Sequence, residues 1–451
     1  TRTLTIPVMG YLSLGNLFDD DMVLQRDAAF SVFGKALAKS PVHVAMSTGE
    51  SARTTADADG AWSVKLPALK ASAGGPVTMT VVSGSRTLVL KNLLVGDVWF
   101  CSGQSNMSWP MIYTDTAAKA IKAANIPNLR MVKTPETGAA APWNDLNTRA
   151  DWKVSSPKAV KFFSAVAHHF GRDLQKAVKI PIGLIQSSQG GTSIEVWAKA
   201  MRRAGAKTLY NSRVHPYTRL PIKGAIWYQG EANVRDGAAY TAKMKTLIGD
   251  WRKQWALGQF PFYFVQLAAF NYKGDAAHQL PELWAAQTAA AATIPNTGMA
   301  VITDVSDITN IHPRKKAHVG KRLSLLARHG TYGEKNLVHS GPMVRLAKKE
   351  KDKARVTFNH VGSGLASRDG HPINGFELAG ADKKFAGAQA VIQRDTVVVS
   401  AASVRDPAWV RFAWHETARS NLMNKEGLPA NSFTRQLQAP SAKPATPGKA
   451  D

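Results

Sequence analysis

The sequence predicts an α/β fold in which a parallel sheet covered by helices lies between two β-rich regions. From about residue 93 to 335, short apolar runs alternate with longer segments whose apolar residues recur every three or four positions. This is the rhythm of a parallel sheet and its helices. On both sides of that stretch, short alternating runs are separated by Gly, Asp and Ser, as in antiparallel strands. The 451 residues also exceed what one hydrophobic core normally serves.

These changes of rhythm give the predicted domain boundaries. We expect an N-terminal β domain at 1–92, a central α/β domain at 93–335, a C-terminal β region at 336–437 and a disordered tail at 438–451. The N-terminal domain has the strand pattern of a small sandwich. The tail is rich in Pro, Ala and Lys and carries too little apolar surface to fold.

Individual elements follow from the same patterns. In the N-terminal domain, strands are predicted at 29–34, 42–46 and 77–82. In the central domain, strands are predicted at 95–101, 129–132, 182–186, 224–228, 262–267 and 299–303. The clearest helical patterns lie at 165–178, 238–255, 283–292 and 314–328. Strand-like alternation returns at 354–358 and 396–400. All but the second of the central strands end in a cluster of polar or small residues.

The apolar pattern and the single cysteine limit the class of protein. No run of about eighteen apolar residues is present, so no membrane-spanning helix is expected. Cys101 lies inside an apolar strand, which indicates a buried side chain rather than a reactive thiol, and one cysteine forms no intrachain disulfide. Residue 1 is Thr rather than Met and no signal peptide is visible. We expect a periplasmic or secreted protein from which a leader has been removed.

The chain is strongly basic, with a formal net charge of +25. Such a charge can indicate a polyanionic partner. The excess is spread along the chain, however, and no nucleic-acid-binding motif accompanies it, so no nucleic-acid partner is expected. We interpret the charge as solvated surface that suits acidic glycans or an acidic habitat.

The first candidate site residue is Ser105. An apolar run ends abruptly in Gly-Gln-Ser-Asn at 103–106, which places this serine at the mouth of a predicted strand. The carboxyl ends of parallel strands open into the crevice where α/β proteins bind ligands, and Gly103 permits the turn that exposes the hydroxyl. Ser105 is therefore a candidate nucleophile. A serine in such a place is also common as a turn residue that caps the next helix.

Two further strands end in polar clusters. Gly190 and Gly191 follow the strand at 182–186, where their backbone N–H groups can face an anion as in an oxyanion hole. A plain strand-to-helix turn explains these glycines equally well. After the strand at 224–228, the sequence Gln-Gly-Glu-Ala-Asn at 229–233 offers two amide side chains as donors and one carboxylate that can orient a histidine.

The last predicted central strand is followed by a histidine. His312 and Pro313 lie where the final helix is expected to open, and proline fits the first turn of a helix. Neutral imidazole is the usual base that activates a serine hydroxyl. No His-Glu-x-x-His or Cys-x-x-Cys motif is present, Asp304 and Asp307 lack histidines at ligand spacing, and phosphate-binding loops are absent. No metal and no cofactor are therefore expected.

Taken in order, these four motifs resemble the sialate O-acetylesterase family, a branch of the SGNH (GDSL-like) hydrolases. The motifs are Gly-Gln-Ser-Asn-Met, Ser-x-Gly-Gly-Thr-x-Ile-Glu-x-Trp, Ile-Trp-Tyr-Gln-Gly-Glu-x-Asn, and Asp-x-x-Asp with Ile-His-Pro. Segments 18–26, 57–62 and 421–429 are similar to flanking parts of the same family. The resemblance implies a flavodoxin-like, three-layer SGNH domain with β-sandwich-like flanks. It also implies the removal of acetyl esters from sugars.

The resemblance further implies roles for single residues. Ser105 would be the nucleophile and His312 its base. The amide of Ser105 and that of Gly190 or Gly191 would bind the oxyanion. The spacing after the third motif differs by one residue from the usual family pattern, so Gln229 and Asn233 both remain as the side-chain donor.

The acid of the triad is the point where the sequence departs from the family. Where members carry an aspartate two or three residues before the histidine, this chain has Thr309 and Asn310. Glu231 is the first substitute, Asp307 the second, and a Ser-His dyad oriented by a backbone carbonyl is the third.

The sequence therefore predicts a serine-dependent carbohydrate O-acetylesterase that needs no cofactor. Its partner would be an O-acetylated carbohydrate, either sialic acid or an acetylated polysaccharide such as xylan. The alternative, motivated by the lost aspartate, is a glycan-binding protein on a catalytically impaired hydrolase scaffold. The sequence leaves the oligomeric state open.

Overall fold

The N-terminal part of the protein consists of short strands that lead into the central sheet. The structure is a computed structural model that describes residues 11–71, 75–135, 137–201, 206–272 and 279–439. The first seven strands are β1 (Leu12–Leu14), β2 (Val23–Gln25), β3 (Phe30–Ala36), β4 (Pro41–Met46), β5 (Ser51–Thr55), β6 (Ala61–Leu66) and β7 (Val77–Ser83). Strands β1, β3 and β6 form one antiparallel sheet, and β4 pairs with β5 and β7. The predicted strands at 29–34, 42–46 and 77–82 correspond to β3, β4 and β7.

The central sheet contains all six strands that the sequence predicts there. Its strands are β8 (Arg86–Gly103), β9 (Ile126–Lys133), β10 (Lys153–Ser155), β11 (Ile182–Ser188), β12 (Gly224–Tyr228), β13 (Phe262–Val265) and β14 (Thr297–Ala300). The order across the sheet is β10-β9-β11-β8-β12-β13-β14, and every neighbouring pair is parallel except β10 with β9. Strands β11, β12 and β13 are buried along their whole length, as expected for a sheet covered on both faces.

Helices connect these strands. They are α1 (Ser105–Ser108), α2 (Ala117–Lys122), α3 (Pro157–Val160), α4 (Ala165–Val178), α5 (Ala239–Trp255), α6 (Gln279–Thr293) and α7 (Lys316–Gly330). Helix α4 packs against α7, and α5 packs against α6. The hydroxyl of Ser164 accepts a hydrogen bond from the amide of Ala167 and caps the start of α4, at the residue where the sequence predicts that helix to begin.

Two predictions at the ends of elements are wrong. The last helix begins at Lys316 rather than at 314, and Pro313 precedes it instead of occupying its first turn. Strand β14 ends at Ala300, and residues Thr303–Val305 form a short 3-10 turn rather than the end of the predicted strand at 299–303. The strand thus ends three residues early and the helix starts two residues late, so the irregular segment that carries His312 is longer than predicted.

Strand β8 joins the N-terminal and central parts of the molecule. Its first half pairs with β7, three residues in its middle pair in parallel with β2, and its last part lies between β11 and β12. The boundary predicted between 92 and 93 therefore falls inside one continuous strand. Apolar side chains from both parts form a single cluster, in which Leu24 and Phe30 are joined to Trp99 and Phe100.

The C-terminal part is built from ten short strands. They are β15 (Met343–Glu350), β16 (Lys353–Asn359), β17 (Leu365–Ser367), β18 (Phe376–Ala379), β19 (Ala386–Gly387), β20 (Gln389–Gln393), β21 (Thr396–Ser400), β22 (Trp409–Phe412), β23 (Leu422–Asn424) and β24 (Phe433–Gln436). Two four-stranded antiparallel sheets, β15-β16-β21-β20 and β19-β18-β22-β24, enclose a second apolar cluster. The tail predicted at 438–451 lies outside the described residues from 440 onward. Among the helices of the described residues, none combines the length and apolar character that a bilayer crossing requires.

Candidate active site

Ser105 lies where β8 ends, in the middle of the central sheet. Gly103, the last residue of β8, has a φ of +136°, and a Cβ atom at this position would lie 2.1 Å from the carbonyl oxygen of Tyr228. Only glycine fits this turn without displacing the neighbouring strand. The next amide, that of Gln104, donates to the same carbonyl at 3.0 Å. This anchor places Ser105 as the first residue of α1.

His312 reaches Ser105 from the far end of the sequence. Its Nε2 lies 2.8 Å from the Oγ of Ser105, a hydrogen-bond distance between a nucleophile and its base. The imidazole stacks on Trp109, with the ring centroids 4.5 Å apart and the planes 18° from parallel. The side-chain oxygen of Asn310 accepts from the amide of His312 at 2.9 Å and fixes the backbone. Burial lowers the pKa of His312, and the nearby charge of Lys316 lowers it further.

The glycine turn after β11 lies beside the serine. Strand β11 is in register with β8 up to the pair Ser188 and Gly103, and a Cβ atom on Gly190 would lie 3.4 Å from the Cβ of Ser105. Within the described part of the chain, the backbone amides of Ser105 and Gly190 have no hydrogen-bond partner. Gly191 has a φ of +70° and no atom within 4 Å of where its Cβ would be. Gly190 is therefore the glycine that the structure brings to Ser105.

The two amide side chains predicted as donors are already engaged. The Nε2 of Gln229 donates to Asn233 Oδ1 at 2.7 Å and to the carbonyl of Thr192 at 3.1 Å. The Nδ2 of Asn233 donates to Asp236 at 2.7 Å and to Glu195 at 3.2 Å. Both amides thus stiffen the loops behind the serine, and the structure directs neither amide nitrogen to Ser105.

Glu231 contacts neither catalytic candidate directly. Its Oε1 accepts from the side chain of Asn106, whose Nδ2 also donates to the carbonyl of Ile311 at 2.9 Å. The Oδ1 of Asn106 accepts from the ammonium of Lys316. Since Asn106 follows Ser105 and Ile311 precedes His312, this buried amide connects the segment of Ser105 to the segment of His312. We refer to Asn106, Glu231 and Lys316 as the buried polar network.

Burial shifts the ionisation of both charged members of this network. Desolvation raises the pKa of Glu231, and the hydrogen bond from Asn106 and the charge of Lys316 oppose that rise. Desolvation lowers the pKa of Lys316 to about 7, against the attraction of Glu231. The ammonium also lies 5.3 Å from the ring centroid of Tyr228 and 6.0 Å from that of Trp109, which is cation–π range.

Asp307, the second acid considered, caps a turn instead of orienting the histidine. Its Oδ1 accepts from the amide of Thr309 at 3.0 Å and from the hydroxyl of the same residue at 2.7 Å. These bonds lower the pKa of Asp307, which is solvent-exposed. Among the described residues, no carboxylate oxygen lies within 4.0 Å of a ring nitrogen of His312, because none of the ion pairs involves this residue.

The surface next to His312 is aromatic and basic. The ring of Tyr113, 54% exposed, lies 5.9 Å from that of Trp109. The guanidinium of Arg314 donates to the backbone carbonyls of Tyr113 and Thr114. No carboxylate of the described residues forms an ion pair with it. This surface thus presents an exposed aromatic ring beside a positive charge.

Three residues of the site were missed by sequence reasoning. Asn106 stands inside the Gly-Gln-Ser-Asn motif, so a signal was present, but its role depends on contacts with Glu231 and Ile311. Trp109 and Lys316 carry no local signal, because their importance comes from tertiary contacts with His312 and Asn106. Among the described residues, no group of three or more His, Cys, Asp or Glu side chains is arranged to hold a metal ion.

Comparison with known proteins gives consistent results. The family model described as carbohydrate esterase, sialic acid-specific acetylesterase, matches residues 95–327. The sialate O-acetylesterase of Pongo abelii is 33% identical over 72% of this chain and 72% of its own length. That of Homo sapiens is 32% identical with the same coverage. The crystal structure of a carbohydrate acetylesterase from Xanthomonas citri superposes with a TM-score of 0.88 and 37% identity, covering 94% of this chain and 99% of that one.

Proposed function

Because the chain belongs to the family of sialic acid-specific acetylesterases and is a carboxylic ester hydrolase, we propose that it removes O-acetyl groups from sugars through an acetyl-enzyme on Ser105. The observation that carries this proposal is the 2.8 Å distance between the Oγ of Ser105 and the Nε2 of His312. These two residues are 207 positions apart in the sequence, and the fold brings their reactive atoms together at the end of the central strand.

In the first half-reaction, the hydroxyl of Ser105 attacks the acetyl carbonyl while His312 takes its proton. The low pKa of His312 keeps the imidazole neutral near pH 7, which is the form that accepts a proton. The tetrahedral intermediate then collapses, the sugar oxygen leaves, and the imidazolium returns the proton to it. The acetyl group stays on Ser105 as an ester.

The backbone amides of Ser105 and Gly190 are the proposed oxyanion donors. Both have free N–H groups within the described residues and lie next to the nucleophile. Donors that are fixed before the reaction stabilise the charge that develops on the carbonyl oxygen, and losing one typically costs about a hundredfold in rate or more. The engaged amides of Gln229 and Asn233 would support the loops that hold these donors.

In the second half-reaction, water hydrolyses the acetyl-enzyme with the same histidine as base. Since no carboxylate in the described part of the chain contacts the ring of His312, we propose that stacking on Trp109 and the bond from its backbone amide to Asn310 hold its orientation. Glu231 then acts as a positioning residue through Asn106, not as the direct partner of the histidine.

We propose an acidic sugar as the preferred substrate, with sialic acid the form that the family name indicates. Arg314 beside the exposed Tyr113 provides a cation for the sugar carboxylate and an aromatic ring for the sugar face. A neutral acetylated polysaccharide such as xylan would use the ring but not the cation. A periplasmic or secreted location, where such glycans occur, stays a prediction.

The substrate proposal is tested by comparing two esters. Arg314→Gln is expected to lower kcat/KM for O-acetylated sialic acid by about tenfold, the value of one lost charged contact, and to leave acetylated xylan unchanged. Lys122→Gln, which removes an equal charge from the last turn of α2, is the control. An equal loss on both esters, or none, would overturn the sialate preference.

The covalent step is tested with a fluorophosphonate, which reacts with an activated serine and releases fluoride. The adduct should appear on the peptide that contains Ser105 and disappear in Ser105→Ala. Ser108→Ala is the matched control, because this neighbouring serine on the same helix is bonded to Ser188 and not to a base. Labelling that survives Ser105→Ala would contradict the proposed nucleophile.

A further inference from the structure

A cavity of about 400 Å³ lies far from Ser105, between the central sheet and the C-terminal strands. Its walls include Tyr263 and Met299 from β13 and β14, and Arg435 from β24. Tyr263 and Thr297 belong to the amino ends of their strands, whereas Ser105 follows the carboxyl end of β8. The cavity thus lies at the amino ends of the strands, and the candidate active site lies at their carboxyl ends. The volume of the cavity is that of a small-molecule pocket.

Three histidines from separate parts of the chain meet in this cavity. His329 ends α7, His339 lies in the connection to the C-terminal strands, and His360 follows β16. The rings of His329 and His339 are stacked with centroids 3.7 Å apart, and that of His360 lies 5.0 Å from the ring of His339. We refer to these three residues as the histidine cluster.

The backbone around the histidine cluster is held in place by a buried amide. The Nδ2 of Asn424 donates to the carbonyl of Ser340 at 3.0 Å and to that of His360 at 3.2 Å. His360 itself has a φ of +59°, a conformation that is uncommon outside glycine. The Nδ1 of His329 is buried without a hydrogen-bond partner among the described residues. The cluster is therefore fixed by the fold while one of its polar atoms is left unsatisfied.

The charges that face the histidine cluster are positive. Arg435 lines the cavity from the C-terminal side and forms no ion pair within the described residues. The positive charge of Lys335, in the connecting segment, helps to lower the pKa of His339. No Asp or Glu is among the described residues that line the cavity. The nearby carboxylate of Glu334 is already paired with Arg328. Tyr263 is the remaining titratable group in the wall, and burial raises its pKa.

We propose that this cavity is a second binding site, independent of the ester hydrolysis, which takes a small oxyanion such as sulfate or the carboxylate of an acidic sugar. Imidazole N–H groups of the histidine cluster and the guanidinium of Arg435 would donate to the anion. Asn296 and Asn359, which also line the cavity, offer neutral donors to the rest of a sugar. Protonated imidazoles in the cluster would repel one another, because each carries a positive charge. A bound anion would offset this repulsion.

The proposed binding is linked to proton uptake. Burial, together with His329 and His360, lowers the pKa of His339 to about 4, and burial and His329 also lower the pKa of His360. A bound anion favours the protonated rings, so affinity should rise as the pH falls. Without an anion, His339 and His360 are protonated more readily in the unfolded chain than in the folded one, and stability should decline as the pH falls below 6.5, the ordinary pKa of histidine.

The test is calorimetric titration of the full chain at low ionic strength, with sodium sulfate, sodium glucuronate and glucose as probes. Sulfate or glucuronate should bind about tenfold more tightly at pH 5 than at pH 8. His339→Gln, His360→Gln and Arg435→Gln should each weaken that binding. Arg405→Gln is the charge-matched control, because this exposed arginine lies outside the cavity. Tighter binding of glucuronate than of sulfate identifies a sugar carboxylate, and the reverse identifies an inorganic anion.

Two results would overturn the proposal. One is absence of binding for both anions at pH 5. The other is equal weakening by Arg405→Gln, which would mean adsorption to the basic surface as a whole. Because a variant that fails to fold gives no binding either, the imidazole proton signals of the wild-type protein are followed by NMR as well. Signals from three histidines should shift together on addition of the anion at pH 5.

Discussion

Among single side chains, Asn106 joins the two halves of the candidate active site. It touches Glu231, the carbonyl of Ile311 and the ammonium of Lys316, and it is fully buried. A buried amide with all of its polar atoms engaged holds its neighbours in one geometry, because any movement leaves a donor or acceptor unsatisfied. The positions of Ser105 and His312 are thus coupled, although no carboxylate of the described residues contacts the histidine ring.

This arrangement predicts the effect of Glu231→Gln. The substitution removes the charge that balances Lys316, so kcat should fall by about 10-fold to 100-fold, the cost of a small displacement of reacting groups. KM should stay within about twofold, because the Oε2 atom of Glu231 is buried and the carboxylate is bonded to Asn106. Steady-state kinetics with 4-nitrophenyl acetate measure both constants.

Asp307→Asn is the control for this prediction. Asparagine keeps the side-chain oxygen that accepts from Thr309, so activity should remain within about twofold of wild type. A large loss in Asp307→Asn together with none in Glu231→Gln would make Asp307 the functional acid and contradict the role assigned to the buried polar network.

A second prediction concerns pH. His312 must be neutral to act as base, and its pKa is lowered from 6.5 by burial and by Lys316. Activity should therefore be lost as the pH falls through an apparent pKa below 6.5, measured as log kcat/KM against pH. Lys316→Met removes the positive charge and should move that acid limb to higher pH. An acid limb above pH 6.5 in the wild type would contradict this account.

The sequence identified some site residues and not others for a physical reason. Ser105 and His312 stand in the segments that follow predicted strands, and the carboxyl ends of parallel strands converge, so the pattern predicts that these segments meet. The partner of the histidine does not follow from it. Glu231 also stands after a strand, yet its side chain turns to Asn106 and away from His312, a choice set by packing around Lys316.

Among secondary-structure elements, β8 determines where the nucleophile lies. From Leu93 onward it is buried on both faces, and it ends in a glycine whose conformation and close neighbour both exclude a side chain. The position of Ser105 thus depends on the register between β8 and β12, in which Gly103 is opposite Tyr228.

Gly103→Ala tests this dependence. The added methyl would lie 2.1 Å from the Tyr228 carbonyl, so α1 or β12 must shift, and kcat should fall by about a hundredfold. Gly84→Ala is the matched control: Gly84 also has a positive φ, of +57°, but no atom lies within 4 Å of its Cβ position. That variant should lose only about 1 kcal/mol of stability and keep its kcat. Equal kcat in both variants would show that the turn does not position Ser105.

The strands were predictable because buried parallel strands are short apolar runs bounded by polar residues. The predicted strand at 224–228 and helix at 165–178 have the observed bounds. Prediction failed where a tertiary contact sets the limit of an element. Helix α7 begins at Lys316, whose buried side chain is bonded to Asn106. A proline before it indicated a helix start two residues too early.

In the whole molecule, the N-terminal and central parts share strand β8 and one apolar cluster, although the sequence pattern divides them at residue 93. The rhythm changes at residue 93 because β8 is half-exposed before this point and fully buried after it. The change in the apolar pattern thus reports a change in burial within one strand. The four-part division at 1–92, 93–335, 336–437 and 438–451 stays a prediction. It requires that the first three parts fold independently.

Asp97 is the charged centre of the contact between these parts. It is fully buried in β8 and accepts from Arg26 at 2.9 Å and from the hydroxyl of Tyr332 at 2.8 Å. Asp97→Ala removes the buried carboxylate from the guanidinium of Arg26, which keeps its contact with Asp27 at 3.4 Å, and should cost about 3 kcal/mol. Urea unfolding should show a lower midpoint for this variant. Asp395→Ala, an exposed turn residue, should unfold like wild type, and equal midpoints in both variants would contradict the proposed contact.

The most direct test of the central claim is hydrolysis of 4-nitrophenyl acetate by the wild type, Ser105→Ala and His312→Ala, with circular dichroism to show that all three are folded. We expect turnover in the wild type and a loss of about a thousandfold or more in each variant, as for other activated serines. Wild-type activity no higher than that of Ser105→Ala, also on acetylated sialic acid and acetylated xylan, would contradict this expectation. The chain would then be a glycan-binding protein on a hydrolase scaffold.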